Sequence, residues 1–205
     1  MVRLLLGLGG IRVVIEGKEN LKKYPSMIFV SNHASYLDSL VLVSILPLNA
    51  LFVGKKELET WPMVRTAIRK FGFITVDRMD FSKNLSEVDT ISDALHKKHS
   101  ILIFPEGTFT YATGLRPFKL GAFKVAVDTQ TPICPIALQG TRHILRGGSA
   151  LLGMGSVKVN IGTPIVPSST EWSEVMQLHS KVRADIAQHC GELMLDMITA
   201  GPAKE

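Results

Sequence analysis

Apolar positions along the chain fall into two alternating rhythms. Short runs rich in β-branched residues, "RVVIEG", "MIFVS", "LFVG", "GFITVDR", "SILIFPEG", "ICPIAL" and "VKVNIG", have the length and composition of strands. Between them lie stretches where apolar residues recur every three or four positions, the period of a helix with one buried stripe. Leu85, Val88, Ile91 and Leu95 form such a stripe between "GFITVDR" and "SILIFPEG", so those two strands are expected to run parallel in a βαβ unit. Further helices are predicted from about Phe118 to Asp128 and from about Glu171 to Thr199. The second opens on "SSTEWSE" and is striped by Val175, Leu178, Val182 and Ile186. "RVVIEG" and "VKVNIG" alternate most clearly, which suggests antiparallel edges on an otherwise parallel sheet. The pattern predicts an α/β fold built on a mixed, mostly parallel sheet flanked by helices.

A length of 205 residues suits one buried core, so a single domain over 1–205 is expected. At 46% hydrophobic residues the chain is not disordered, and it shows no repeat period and no low-complexity tract. In such a sheet the loops leaving the carboxyl ends of parallel strands converge on one edge, where ligands bind. The polar residues follow this rule. "MIFVS" is followed by Asn32 and His33, "GFITV" by Asp77 and Arg78, "ILIF" by Pro105, Glu106, Gly107 and Thr108, and "CPIAL" by Gln139, Gly140, Thr141 and Arg142.

His33 and Asp38 stand between one strand and the apolar run after it. On a continuous helix an offset of five turns the second side chain about 140° from the first. The two can meet only at a helix entrance, with the chain turning through Asn32 to Ala34 and the helix starting near Ser35. Two readings of Asp38 then stand side by side. Ser35 and Asp38 fit an S-x-x-D helix cap; equally, a carboxylate on one imidazole nitrogen lets the other take a proton from an alcohol near neutral pH. His33 alone would be an ordinary loop histidine bonded to backbone, but its neighbours at the other strand ends favour chemistry. Gly107 would let main-chain N–H groups approach a developing oxyanion. Together these residues point to acyl transfer. A serine nucleophile is disfavoured, because there is no G-x-S-x-G elbow and Ser35 lies too close to His33 in sequence.

The net charge of +5 and pI near 9.3 favour an anionic partner without choosing among nucleic acid, lipid surface and phosphorylated small molecule. Dispersed basic residues without interleaved aromatics argue against nucleic acid. Two cysteines, Cys134 and Cys190, imply no disulfide framework and read as packing residues. Metal ligation is not indicated: His96, His99, His143, His179 and His189 lack ligand spacing and read as surface residues. No segment has the ~18 to 20 consecutive apolar residues of a spanning helix, and the first residues lack the pattern of a signal peptide.

"NHASYLD", "GFITVDR", "FPEGTFT" and "CPIAL", in this order and at these separations, make the chain resemble the glycerolipid acyltransferase family across about residues 10 to 165. Its best-known members are the 1-acylglycerol-3-phosphate acyltransferases. The resemblance implies the glycerol-3-phosphate acyltransferase-like fold, with His33 as general base on the acceptor's hydroxyl and Asp38 orienting it. It further implies an acyl thioester on coenzyme A or acyl carrier protein as co-substrate, no other cofactor and no covalent acyl-enzyme. The acceptor's head group would fall to Arg78, Glu106, Gly107 and Thr108, with Lys55 as a further cation. Arg78 suits phosphate best, because a guanidinium offers paired donors. Each also has a plainer reading: Arg78 paired with Asp77 or Asp80, Glu106 fixing its turn, Lys55 solvating a helix start.

One position departs from the family pattern. Phe109 stands where an arginine commonly follows E-G-T, which removes a cation, although Arg116 and Lys119 could restore the charge. The acceptor expected first is a lysophospholipid, 1-acylglycerol 3-phosphate. The alternatives are glycerol 3-phosphate, dihydroxyacetone phosphate or a lyso-aminolipid, and, from another class, a silent membrane-binding domain. The expected setting is the cytoplasmic face of a membrane, against an anionic surface. The chain would be peripheral or part of a larger, membrane-anchored polypeptide, with "MVRLLLGLGGI" and "WPMVRTAIRKFGF" as membrane-facing candidates.

Overall fold

The structure is a computed structural model that describes residues 6, 7, 9–55, 72–76, 85–107, 113–145 and 153–195, with the main chain alone at 55, 75, 76 and 85–87. In chain order the elements are β1 (Ile11–Glu16), a 3-10 turn (Lys18–Lys22), β2 (Ile28–Ser31), α1 (Leu37–Ile45), β3 (Ala50–Lys55), β4 (Phe73–Val76), α2 (Leu85–His96), β5 (Ser100–Ile103), α3 (Gly121–Asp128), β6 (Ile133–Gln139), α4 (Thr141–Ile144), β7 (Gly155–Ile161) and α5 (Trp172–Cys190). All seven apolar runs become strands of one sheet, in the order β1-β7-β6-β2-β5-β3-β4.

The five strands from β6 to β4 are parallel, whereas β7 is antiparallel to β6 and β1 runs parallel to β7. The two clearly alternating runs are thus reversed, as the pattern suggested, but they lie side by side at one edge and β7 is internal. β4 and β5 share a direction with β3 between them.

Alternation along the central strands sorts the core into two layers. Ile28 and Val30 of β2, with Ile101 and Ile103 of β5, face Ile91 and Leu95 of α2, Phe123 of α3 and Val175, Leu178, Val182 and Ile186 of α5. On the opposite face Phe29, Leu102 and Phe104 pack with Leu37, Val41 and Leu42 of α1. Burial on both faces explains why "SILI" and "IFV" read as unbroken apolar runs. Both cysteines are buried packing residues, and burial pushes the Cys134 thiol up to about 12.

The last helix ends earlier than its pattern implied. Gly191 adopts a left-handed φ of 71° directly after Cys190 and stops the helix there. The chain then turns so that Leu115 N–H donates to Leu193 O and Leu195 N–H to Leu115 O. At the other end of α5, the Glu174 carboxylate accepts from both the N–H and the hydroxyl of Ser168, the start signal that "SSTEWSE" carries. His179 is not a surface residue: half-buried, it lies edge-on to Phe123, its Nε2 3.1 Å from Phe118 O, and burial lowers its pKa.

Candidate active site

β2 ends at Ser31, and the next three residues turn before α1 begins. Asn32, buried, fixes that turn to the neighbouring strand: its amide donates to Leu138 O at 3.0 Å and accepts from Leu138 N–H at 2.8 Å. Asn32 thereby extends the β2–β6 ladder by one side chain and delivers His33 at the carboxyl edge. Sequence reasoning did not single out this role; the available signal was an amide residue at the end of an apolar strand.

The Asp38 carboxylate is fully buried and lies in the first turn of α1. Its Oδ2 accepts from Ala34 N–H at 2.6 Å and Ser35 N–H at 2.8 Å and stands 2.9 Å from His33 Nδ1. One oxygen thus does two things: it accepts from main-chain N–H groups at the helix entrance and it lies against the imidazole. Among the described residues Asp38 Oδ1 has no hydrogen-bond partner. Ser35 is buried, donates its hydroxyl to Leu145 O and accepts from Leu37 N–H, which removes it as a nucleophile.

The His33 ring stacks on Phe104 with centroids 4.1 Å apart and planes 17° from parallel, and its side chain is 15% exposed. A carboxylate beside Nδ1 favours the tautomer with its proton there, which leaves Nε2 as the acceptor of a neutral ring. An imidazole held in this way can accept a proton at Nε2, with the neighbouring carboxylate stabilising the imidazolium that forms.

Beneath this pair lies the turn that follows β5. Glu106 Oε1 accepts from His33 N–H at 2.7 Å and Oε2 from Arg116 N–H at 3.0 Å. The carboxylate thus joins the histidine loop to residues 113–119, the bracing of the turn that was its plainer reading. Gly107 has φ of 78°, and its N–H donates to Phe104 O at 3.0 Å. Its N–H therefore closes the turn and does not point at an oxyanion. What the missing side chain does allow is the approach of Lys119: a Cβ on Gly107 would lie 3.1 Å from Lys119 Nζ. Lys119 is anchored by its N–H to Pro105 O, and its ammonium sits over the turn.

Burial pushes Glu106 up to about 7, against the opposing pull of its two N–H donors and His33 and with a further push from Glu192. A carboxyl whose folded pKa lies above its unfolded value stabilises the fold most below the unfolded pKa, and that contribution is lost as pH rises towards the folded one. Over the window from 4.5 to about 7, the loss from this group is on the order of 3 kcal/mol. Glu106→Gln is expected to abolish that pH slope, and to destabilise because an amide NH₂ then faces one of the two main-chain donors. Urea titrations of both proteins at several pH values check this.

His33, Asp38, Glu106 and Gly107 are therefore brought together. Lys55 ends β3, but its side chain, and the whole of Arg78, Thr108 and Phe109, fall outside the described residues. So does most of "WPMVRTAIRKFGF". Among the described residues no group of His, Cys, Asp and Glu could hold a metal, and no helix is long and apolar enough to cross a membrane.

The chain belongs to the acyltransferase family: residues 12–139 match the family described as Acyltransferase. The 1-acyl-sn-glycerol-3-phosphate acyltransferase BAT2, chloroplastic, of Brassica napus is 35% identical over 159 residues, 77% of this chain and 46% of that protein. The 1-acyl-sn-glycerol-3-phosphate acyltransferase of Saccharomyces cerevisiae is 30% identical over 199 residues, 94% of this chain and 63% of that one. The chain thus spans about half to two thirds of the length of these curated relatives. In fold it is similar to the crystal structure of the 1-acyl-sn-glycerophosphate (LPA) acyltransferase PlsC of Thermotoga maritima, with a TM-score of 0.76 over 91% of this chain and 76% of that chain at 24% identity.

Proposed function

We propose that the protein moves a fatty acyl group from an acyl thioester to the free hydroxyl of a lysophospholipid, with 1-acylglycerol 3-phosphate as acceptor and phosphatidate as product. The observation that carries this reading is the His33 imidazole held by Asp38 and seated on the turn of Phe104 to Gly107 in a member of the acyltransferase family. His33 Nε2 takes the hydroxyl proton as the acceptor oxygen attacks the thioester carbonyl. The tetrahedral adduct collapses with loss of the C–S bond, and the imidazolium returns its proton to the departing thiolate. Coenzyme A and acyl carrier protein both supply such a thioester, and no covalent acyl-enzyme is needed.

The acceptor's phosphate binds over Gly107, where the Lys119 ammonium lies, together with Lys55, Arg78 and Thr108 from the neighbouring strand ends. The lysophospholipid is taken from one face of an anionic bilayer, in keeping with the basic charge of +5. Phe109, which supplies no cation after Glu106-Gly107-Thr108, favours a second reading in which the acceptor is glycerol 3-phosphate, dihydroxyacetone phosphate or a lyso-aminolipid.

Purified protein incubated with acyl-CoA or acyl-ACP and a panel of these acceptors, with products identified by mass spectrometry, separates the readings. Phosphatidate from lysophosphatidate is the expected product, and preference for another acceptor selects the second reading. Liposome binding without any new ester would leave a membrane-binding domain.

A further inference from the structure

Glu192 lies beyond the segment matched to the family, in the turn after α5. Its Oε2 accepts from Gly114 N–H at 2.8 Å, and the carboxylate takes Arg142 in two bonds, Nε to Oε1 at 2.8 Å and Nη2 to Oε2 at 3.0 Å. These bonds close a ring around the site. Two residues past Gly114, the Arg116 N–H bonds Glu106, whose other oxygen holds the His33 N–H. In the opposite direction Arg142 leads back through Gly140 to Leu138, the residue gripped by Asn32, immediately before His33. Glu192 is the joint on the far side of the ring from His33. The pairing of Leu115 with Leu193 and Leu195 ties the same two segments a second time.

On one side the ring borders a cavity of about 640 Å³, lined by Gly114, Leu138, Arg142 and Glu192, and there the Glu192 carboxylate bridges Gly114 and Arg142.

We propose that Glu192 is a positioning residue for His33: by joining Gly114 to Arg142 it holds apart, at fixed distance, the two segments that grip the histidine loop through Glu106 and through Asn32. Arg142 and Glu192 side chains are 15% and 16% exposed, so breaking this largely buried pair costs stability as well. Its effect on turnover acts through geometry, where a displacement of about 1 Å at a catalytic group is enough.

The kinetic readout rests on the acyl-transfer reading, and the second readout does not. Glu192→Ala is expected to lower kcat about tenfold at a temperature where it is fully folded, while KM for donor and acceptor stays within about twofold and the unfolding midpoint falls by about ten degrees. Glu192→Gln, which still accepts from Gly114, restores most of kcat. Residue-resolved amide exchange without substrate should show the His33 and Arg116 amides exchanging about tenfold faster in Glu192→Ala. Unchanged exchange at those amides, an unchanged kcat, or a kcat loss that merely tracks global unfolding overturns the proposal. Should the wild-type chain transfer no acyl group, that result removes the acyl-transfer reading, and the exchange experiment still decides whether Glu192 holds the loop.

Discussion

His33→Ala is expected to lower acyl-transfer turnover by about a thousandfold or more and to leave the fold in place. The chemical loss is total because the variant has neither a group to take the hydroxyl proton nor an imidazolium to return it to the leaving thiolate. The structural loss is limited. The ring is partly exposed and stacks on Phe104, worth roughly 0.5 to 1.5 kcal/mol, and the buried Asp38 carboxylate loses one donor, worth roughly 1 to 3 kcal/mol. The main-chain bond from His33 N–H to Glu106 survives the substitution, and Asp38 keeps its two donors at Ala34 and Ser35. Steady-state rates beside a thermal melt make the comparison. Turnover equal to wild type would take His33 out of the mechanism.

Asp38→Asn should also lower kcat, by about 10² to 10³. An asparagine that keeps its oxygen at the Oδ2 position can still accept from Ala34 N–H, Ser35 N–H and His33 Nδ1–H, but it has no negative charge to stabilise the imidazolium, and its NH₂ lies at the Oδ1 position, where no partner stands among the described residues. Asp38→Ala differs in kind. It leaves the Ala34 and Ser35 N–H groups buried without their acceptor, at about 1 to 3 kcal/mol each, and so loses stability as well as rate. A folded Asn variant with much reduced turnover beside a destabilised Ala variant would separate the charge of Asp38 from the hydrogen bonds its Oδ2 accepts. Near-normal turnover in Asp38→Asn would show that the negative charge is not needed.

The sheet was legible because burial on both faces writes unbroken apolar runs such as "SILI", while a strand buried on one face writes the alternation of Val157, Lys158 and Val159. Strand order was not, since nothing local in "VKVNIG" tells that it inserts between β1 and β6. The meeting of His33 with Asp38 followed from helical geometry. The hold of Glu106 on the main chain of His33 did not, because it joins residues 73 apart through a main-chain N–H that carries no residue identity. Gly107 was expected to let main-chain N–H groups approach an oxyanion; the group close to it is Lys119, and the Gly107 N–H is used inside the turn. The stop at Gly191 carried an ordinary helix-ending signal, which the apolar stripe running on towards Thr199 outweighed. Arg142 was placed at the strand-end edge, but its pairing with Glu192, 50 positions further on, left no pattern.

The loop that carries His33 is secured by Glu106, Leu138 and Leu145, partners 73 to 110 positions further along the polypeptide. Contacts of such long separation form late, after nearby helices have already gained their turns. A growing or refolding chain should therefore show full helical signal before it shows any reactivity, so that enzymatic rate reports the completion of folding more faithfully than circular dichroism does.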